Sequence, residues 1–164
     1  GFISDGLGDP AFPGSGVNMI FGFNLYDVVF GGTVAVGSTT NVQGLGFNTG
    51  NGDIYGIDGN QFESLGLNNN WKHYVFEMRS DVSYTNNKIY IDGVQQVGFS
   101  QVRPGGSGEN ATNREFNGGV GRIAGWHHDN NYRARMDVAM FRVYNKALTQ
   151  QEVLDNYNEV KDRF

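Results

Sequence analysis

The chain has 164 residues, of which 25 are Gly and three are Pro; 18% are charged and the formal net charge is −5. That length suits one domain with a substantial core, and the acidic balance excludes the basic footprint by which a nucleic-acid-binding surface is recognised. No apolar run approaches the roughly 20 residues that span a bilayer, and the absence of Cys excludes disulfides and thiol chemistry. Neither nucleic acid nor membrane insertion is therefore expected. The first residue is Gly1 rather than Met, with no secretory signal pattern after it, so the chain is expected to be one module of a longer polypeptide.

Residues 1–16 hold five of the glycines and two of the prolines without any period, which predicts an irregular lead-in or linker before a single domain over 17–164. Val17, Met19, Phe21, Phe23 and Leu25 then alternate with small or polar residues, the period of a strand with one buried face. Tyr26 and the residues up to Phe30 continue it past a bend near Gly22, and Thr33 to Val36 form a short strand closed by Gly37 and Ser38. Residues 45–49 and 54–57 flank a hairpin with its turn at Asn51-Gly52. Asp58, Gly59 and Asn60 read as a further turn, and residues 62–67 lead to a corner at 68–70.

Residues 71–97 organise the chain. Tyr74, Phe76 and Met78 share one face of a strand and Trp71, His73 and Val75 the other, so this strand is placed centrally in a sheet. Asp92-Gly93, between Ile91 and Val94, tolerates the positive φ of a two-residue type I′ turn. A loop follows from Val97 to Ala111, including Pro104 and a glycosylation-type triplet at Asn110 and Thr112. Residues 121–126 read as a short strand. Residues 136–144, apolar on both faces, read as a second central strand. The last segment is the convincing helix. Thr149 and Glu152 form a capping box, Leu148 and Val153 a hydrophobic staple, and Val153, Leu154, Tyr157 and Val160 an apolar stripe. Many short strands with glycine-rich turns and one terminal helix indicate an all-β fold, an antiparallel β-sandwich.

Trp71, His73, Tyr74 and Phe76, followed by Lys88, Ile89, Tyr90, Ile91, Asp92 and Gly93, resemble a signature of laminin-G-like domains in the concanavalin A-like lectin/glucanase superfamily. Asp137, Phe141, Arg142, Tyr144, Asn145, Lys146, Ala147, Leu148, Thr149 and Glu152 resemble the family's closing strand, turn and helix. The tail from Asn156 to Phe164 is similar to endings of such domains in bacterial surface proteins and phage structural proteins. The first half of the chain matches the family's opening strand less well. The resemblance implies a jelly roll of two packed sheets, with ligands held by loops, and an extracellular, cell-surface or virion location. It leaves activity open, because one fold carries many functions.

The superfamily's glucanases place acidic residues at alternate positions of one strand, so that the carboxylates project together. Glu77 and Asp81 have the outer spacing without the middle acid, so no catalytic residue is assigned. His73 is explained by strand packing. His127 and His128 are neighbours that point apart on a strand, with no third soft ligand in view for zinc. Calcium, which takes carboxylate, amide and carbonyl oxygens, is the candidate cofactor, with Asp137, Asp53 and Asp58 as candidate ligands. Recognition is expected at Trp126, His127, His128, Asp129, Asn130, Asn131, Tyr132 and Arg133. There aromatic faces can stack on sugar C–H surfaces while Asp and Asn pair with hydroxyls. Tyr55, exposed-looking on its hairpin, is a secondary candidate.

These features point to a non-catalytic module binding a glycan or other cell-surface ligand. The alternative is a structural module, such as a capsid decoration or tail-fibre domain, contacting neighbouring subunits of a surface or virion assembly. A glycan-cleaving enzyme is the third class, and it lacks its acid pair.

Overall fold

The computed structural model describes residues 2–4, 19–22, 28–36, 40–49, 53–57, 59–67, 70–79, 83, 86–98, 100–103, 122–123 and 136–164. The strands are β1 (Phe2–Ser4), β2 (Met19–Gly22), β3 (Val28–Val36), β4 (Thr40–Thr49), β5 (Asp53–Ile57), β6 (Lys72–Glu77), β7 (Lys88–Ile91), β8 (Val94–Gln95), β9 (Ser100–Arg103), β10 (Arg122–Ile123) and β11 (Asp137–Met140). Two helices accompany them, α1 (Gly59–Ser64) and α2 (Gln150–Val160), with a closing 3-10 turn Lys161–Arg163. The strands form two antiparallel sheets, one ordered β11-β1-β6-β7-β8 and the other β10-β2-β3-β4-β5-β9.

The sheets share a core because β6 and β7 alternate. Tyr74, Ile89 and Ile91 cluster with Leu45, Phe47 and Ile57 of β4 and β5, and Phe76 meets Phe47 edge-on at 6.1 Å between ring centroids. The opposite face of the same two strands carries Val75 and Tyr90, which pack on Leu148 and Val153 at the start of α2. The apolar character of β6 on both sides thus has the physical cause expected from its sequence: one face meets the second sheet and the other meets the helix. Each such buried side chain stabilises the fold by about 1.5–3 kcal/mol.

The β4–β5 hairpin is present, with Thr49 opposite Asp53 and Leu45 opposite Ile57. Gly46 faces Gly56 within it, and a Cβ on either would collide with the opposite backbone. The Asp92-Gly93 turn is also as expected, with φ of 50° and 82° and Ile91 opposite Val94. At α2 the capping box is complete, Thr149 Oγ1 accepting from the Glu152 N–H and the Glu152 carboxylate from the Thr149 N–H.

Five expectations are corrected. Phe2–Ser4 is not irregular lead-in but a strand inserted between β11 and β6; three residues are too few to show a period, and their conformation comes from two flanking backbones. β2 and β3 pair antiparallel, so the chain reverses between them, and the two expected short runs up to Val36 are one strand. Residues 59–64 are helical rather than a turn. Their end has a Schellman signature, with Gly66 at φ +59°, its N–H on Glu63 C=O and the Leu67 N–H on Phe62 C=O. Part of the expected loop after Val97 is β9, paired with β5. Finally, residues 136–144 are not a second central strand among the described residues: β11 stands there at the end of its sheet, strand pairing ends at Met140, and Val138, Phe141 and Val143 are exposed.

Candidate functional site

Three polar groups on β6 and in the β7–β8 turn, His73, Glu77 and Asp92, are drawn into the scaffold. The Asp92 carboxylate accepts from the His73 backbone N–H at 3.0 Å and pairs with Lys72 Nζ at 2.9 Å, while the Asp92 N–H donates to His73 C=O at 2.9 Å. Asp92 thereby holds the strand pair in register as well as making the turn. Gly93 then lets α2 approach: its C=O accepts from Gln150 Nε2 at 2.6 Å, and a Cβ there would stand 3.0 Å from Leu154 Cδ1.

His73 is buried under α2, its ring 5.9 Å from that of Tyr157. Burial pushes its pKa down from 6.5 to about 4; the positive charge of the amino terminus adds to the effect, Asp92 opposes it, and Arg142 lowers it further. The imidazole is therefore neutral at neutral pH. The Tyr74 hydroxyl is raised above its ordinary pKa by burial, reinforced by the Asp92 charge, which makes it a hydrogen-bonding group and not an acid.

Glu77, the best placed carboxylate for the enzyme reading, is buried between two cations. Its Oε1 meets Arg79 at 2.9 Å and its Oε2 meets Lys88 at 3.3 Å, and the Arg79 N–H donates to Asn87 Oδ1. Lys88 is its cross-strand partner in the β6–β7 register. Asp81 lies outside the described residues.

The recognition residues Trp126, His127, His128, Asp129, Asn130, Asn131, Tyr132 and Arg133 lie outside the described residues, as does Asp58. Asp53 stands opposite Thr49 at the start of β5. Asp137 is exposed and opens β11 opposite Ser4. Tyr55 is corrected: it is 4% exposed, opposite Phe47 in the sheet, and does not present its ring at the surface. Among the described residues no three carboxylate or imidazole groups converge as metal ligands would, and no helix is long and apolar enough to cross a membrane.

One surface feature was not foreseen. Trp71, expected to pack beside His73, is 39% exposed, and its ring lies 5.7 Å from that of Phe164. Together with Val75, packed against the cluster of Tyr90, Leu148 and Val153, and with His73 beside Tyr157, this lays the carboxy-terminal segment along one face of β6. The matching spacing of apolar and aromatic residues, Trp71, His73 and Val75 against Val153 and Tyr157, is the sequence signal for it.

The fold and these contacts define a strand-rich protein of two antiparallel sheets with a helix clasped to one of them. Compared with family models, with curated proteins and with solved structures, the chain has no match.

Proposed function

We propose that this chain is a non-catalytic recognition module of laminin-G-like type, a jelly-roll sandwich that binds a glycan or other surface ligand through residues 126–133, on an extracellular, cell-surface or virion protein. The observation that carries the reading is the frame around that segment. Among the described residues β10 ends the six-stranded sheet and β11 ends the five-stranded one, and residues 126–133 fall between these two strands in the sequence. The sequence of that segment supplies ring faces, a carboxylate and amides, the chemistry that recognises sugar hydroxyls and C–H surfaces. The non-catalytic part of the reading is supported by Glu77, which two cations neutralise, and by His73 and Asp92, which serve the β6–β7 pairing. Calcium fits only in part: Asp137 offers one exposed carboxylate beside the segment, short of the six or more oxygens of a full shell, so no step is assigned to it.

The test is a glycan array probed with the purified domain, followed by titration of the strongest ligand against Trp126→Ala. Binding should weaken at least tenfold while the far-ultraviolet circular dichroism is unchanged; unaltered affinity removes the site from residues 126–133. A structural role in a surface or virion assembly is the second reading, favoured by Val94 and Val97, both exposed at the β8 end of the five-stranded sheet. Concentration-dependent self-association by light scattering, with no glycan bound, would select it.

A further inference from the structure

The described core falls into two separate clusters on opposite faces of β6 and β7. One lies between the sheets and gathers Tyr74, Ile89 and Ile91 with Leu45, Phe47 and Ile57. The other lies on the outer face, where Tyr90, Leu148 and Val153 gather with Val75 packed against them. Of the two, the second is the one that α2 helps to build. Residues 143–147, all exposed, lead from β11 to the helix, and an exposed stretch of this kind can act as a hinge. Opening of one such unit costs less than unfolding the whole domain.

The contacts that hold α2 against the sheet include several that depend on protonation. Glu152 closes the capping box and pairs with Lys146, and Glu159 pairs with Arg142 at 3.7 Å. The Gln150–Gly93 bond and the apolar contacts are indifferent to pH. Beneath the helix sits His73, buried, with its ring beside that of Tyr157. Charge reaches it from each surrounding element. Asp92 of the β7–β8 turn is paired with Lys72 of β6, and Arg142, after β11, is paired with Glu159 of α2. The amino-terminal charge also bears on the imidazole, and Lys161 Nζ lies 6.0 Å from the centre of the Tyr157 ring. Since Asp92 and Glu159 are each matched by a cation, a further positive charge here meets no new counter-ion among these groups.

We infer that α2 is an acid-released clasp: protonation of His73 lifts the helix off β6 about a hinge at residues 143–147, while the two sheets stay packed. Release uncovers Val75 and Tyr90 and returns the imidazole to water. The sign follows from linkage. The covered imidazole takes its proton near pH 4 and the released one near pH 6.5, so acid favours release across that interval. Glu152 acts in the same direction at lower pH, because its lowered pKa means that the cap is lost as the pH falls through it. Between pH 7 and pH 5 the opening equilibrium rises about twentyfold. The inference is independent of the glycan reading, since none of these groups belongs to residues 126–133.

The test is amide exchange of the whole chain at pH 7 and pH 5, corrected for the intrinsic rate at each pH. Val153, Leu154 and Tyr157 report opening of α2, and Leu45, Phe47 and Ile57 report opening of the sheets. At pH 5 the α2 amides should open at least tenfold more often than the sheet amides and with a weaker dependence on urea. They should also open about twentyfold more often than at pH 7. In His73→Gln the α2 opening constant should stay within about threefold between the two pH values. His73→Phe, with a ring and no titratable nitrogen, takes its place should the glutamine variant not fold. One shared opening constant for α2 and the sheets means that the helix leaves only with the whole fold, which overturns the clasp. An α2 opening constant equal at pH 7 and pH 5, or a rise that survives in the His73 variant, overturns it too.

Discussion

Acidification tests the burial of His73. The unfolded imidazole binds a proton near pH 6.5, whereas the folded one, buried under α2, binds it near pH 4. The folded pKa is depressed, so between those values the unfolded state holds more protons. His73 leaves stability intact above about pH 6.5, and stability falls as the pH drops toward 4. The full shift corresponds to about 3 kcal/mol, with about 2 kcal/mol lost between pH 7 and pH 5. In a chain of this size that is a fall in melting temperature of roughly 4–8 °C. Burial sets most of the shift; the amino-terminal charge and Arg142 disfavour the charged form, Asp92 in the β7–β8 turn favours it, and Tyr157 of α2 lies beside the ring. Urea unfolding at pH 7, 6 and 5 measures the loss. The variant His73→Gln, which has no proton to gain, should flatten the curve over that interval. A wild-type imidazole titrating near 6.5 by NMR, or the same pH slope in His73→Gln, would refute the reasoning.

Gly93→Ala should destabilise by about 1–3 kcal/mol, because φ is +82° there and the new methyl would press on Leu154; chemical denaturation reads the change, and an unchanged midpoint would mean that α2 does not sit on the hairpin. Thr149→Ala removes half of the capping box and should cost about 1 kcal/mol. Glu152, held below its ordinary pKa first by the Lys146 side chain and then by the Thr149 N–H, contributes to that cap above the carboxylate range and loses it as the pH falls through its pKa. Glu152→Ala should therefore lower the melting temperature more at pH 7 than at pH 3, which thermal melts at the two pH values would show.

The elements legible in the sequence are those whose determinants are local. The Asp92-Gly93 turn needs only residues that accept positive φ, the α2 cap needs only Thr149 and Glu152 at the right spacing, and the β6 strand shows its two faces in six residues. Gly66 was a local signal of the same kind, and with Phe62 and Leu67 it could have placed the end of α1. What the tertiary structure alone decided depends on partners distant in the chain. Phe2–Ser4 is a strand because β6 and β11 stand on either side of it. Residues 136–144 have the composition of an interior strand, yet among the described residues β11 ends its sheet, since apolar residues record a preference for burial and not the neighbour that provides it. Tyr55 shows the same limit. A tyrosine beside a turn reads as exposed, and only the pairing of β5 between β4 and β9 puts its ring in the interior. The sequence by itself determined the Asp92-Gly93 turn, the cap and the two-faced strand. Strand order and burial were decided by the long-range pairing of backbones, whose hydrogen bonds carry no side-chain label.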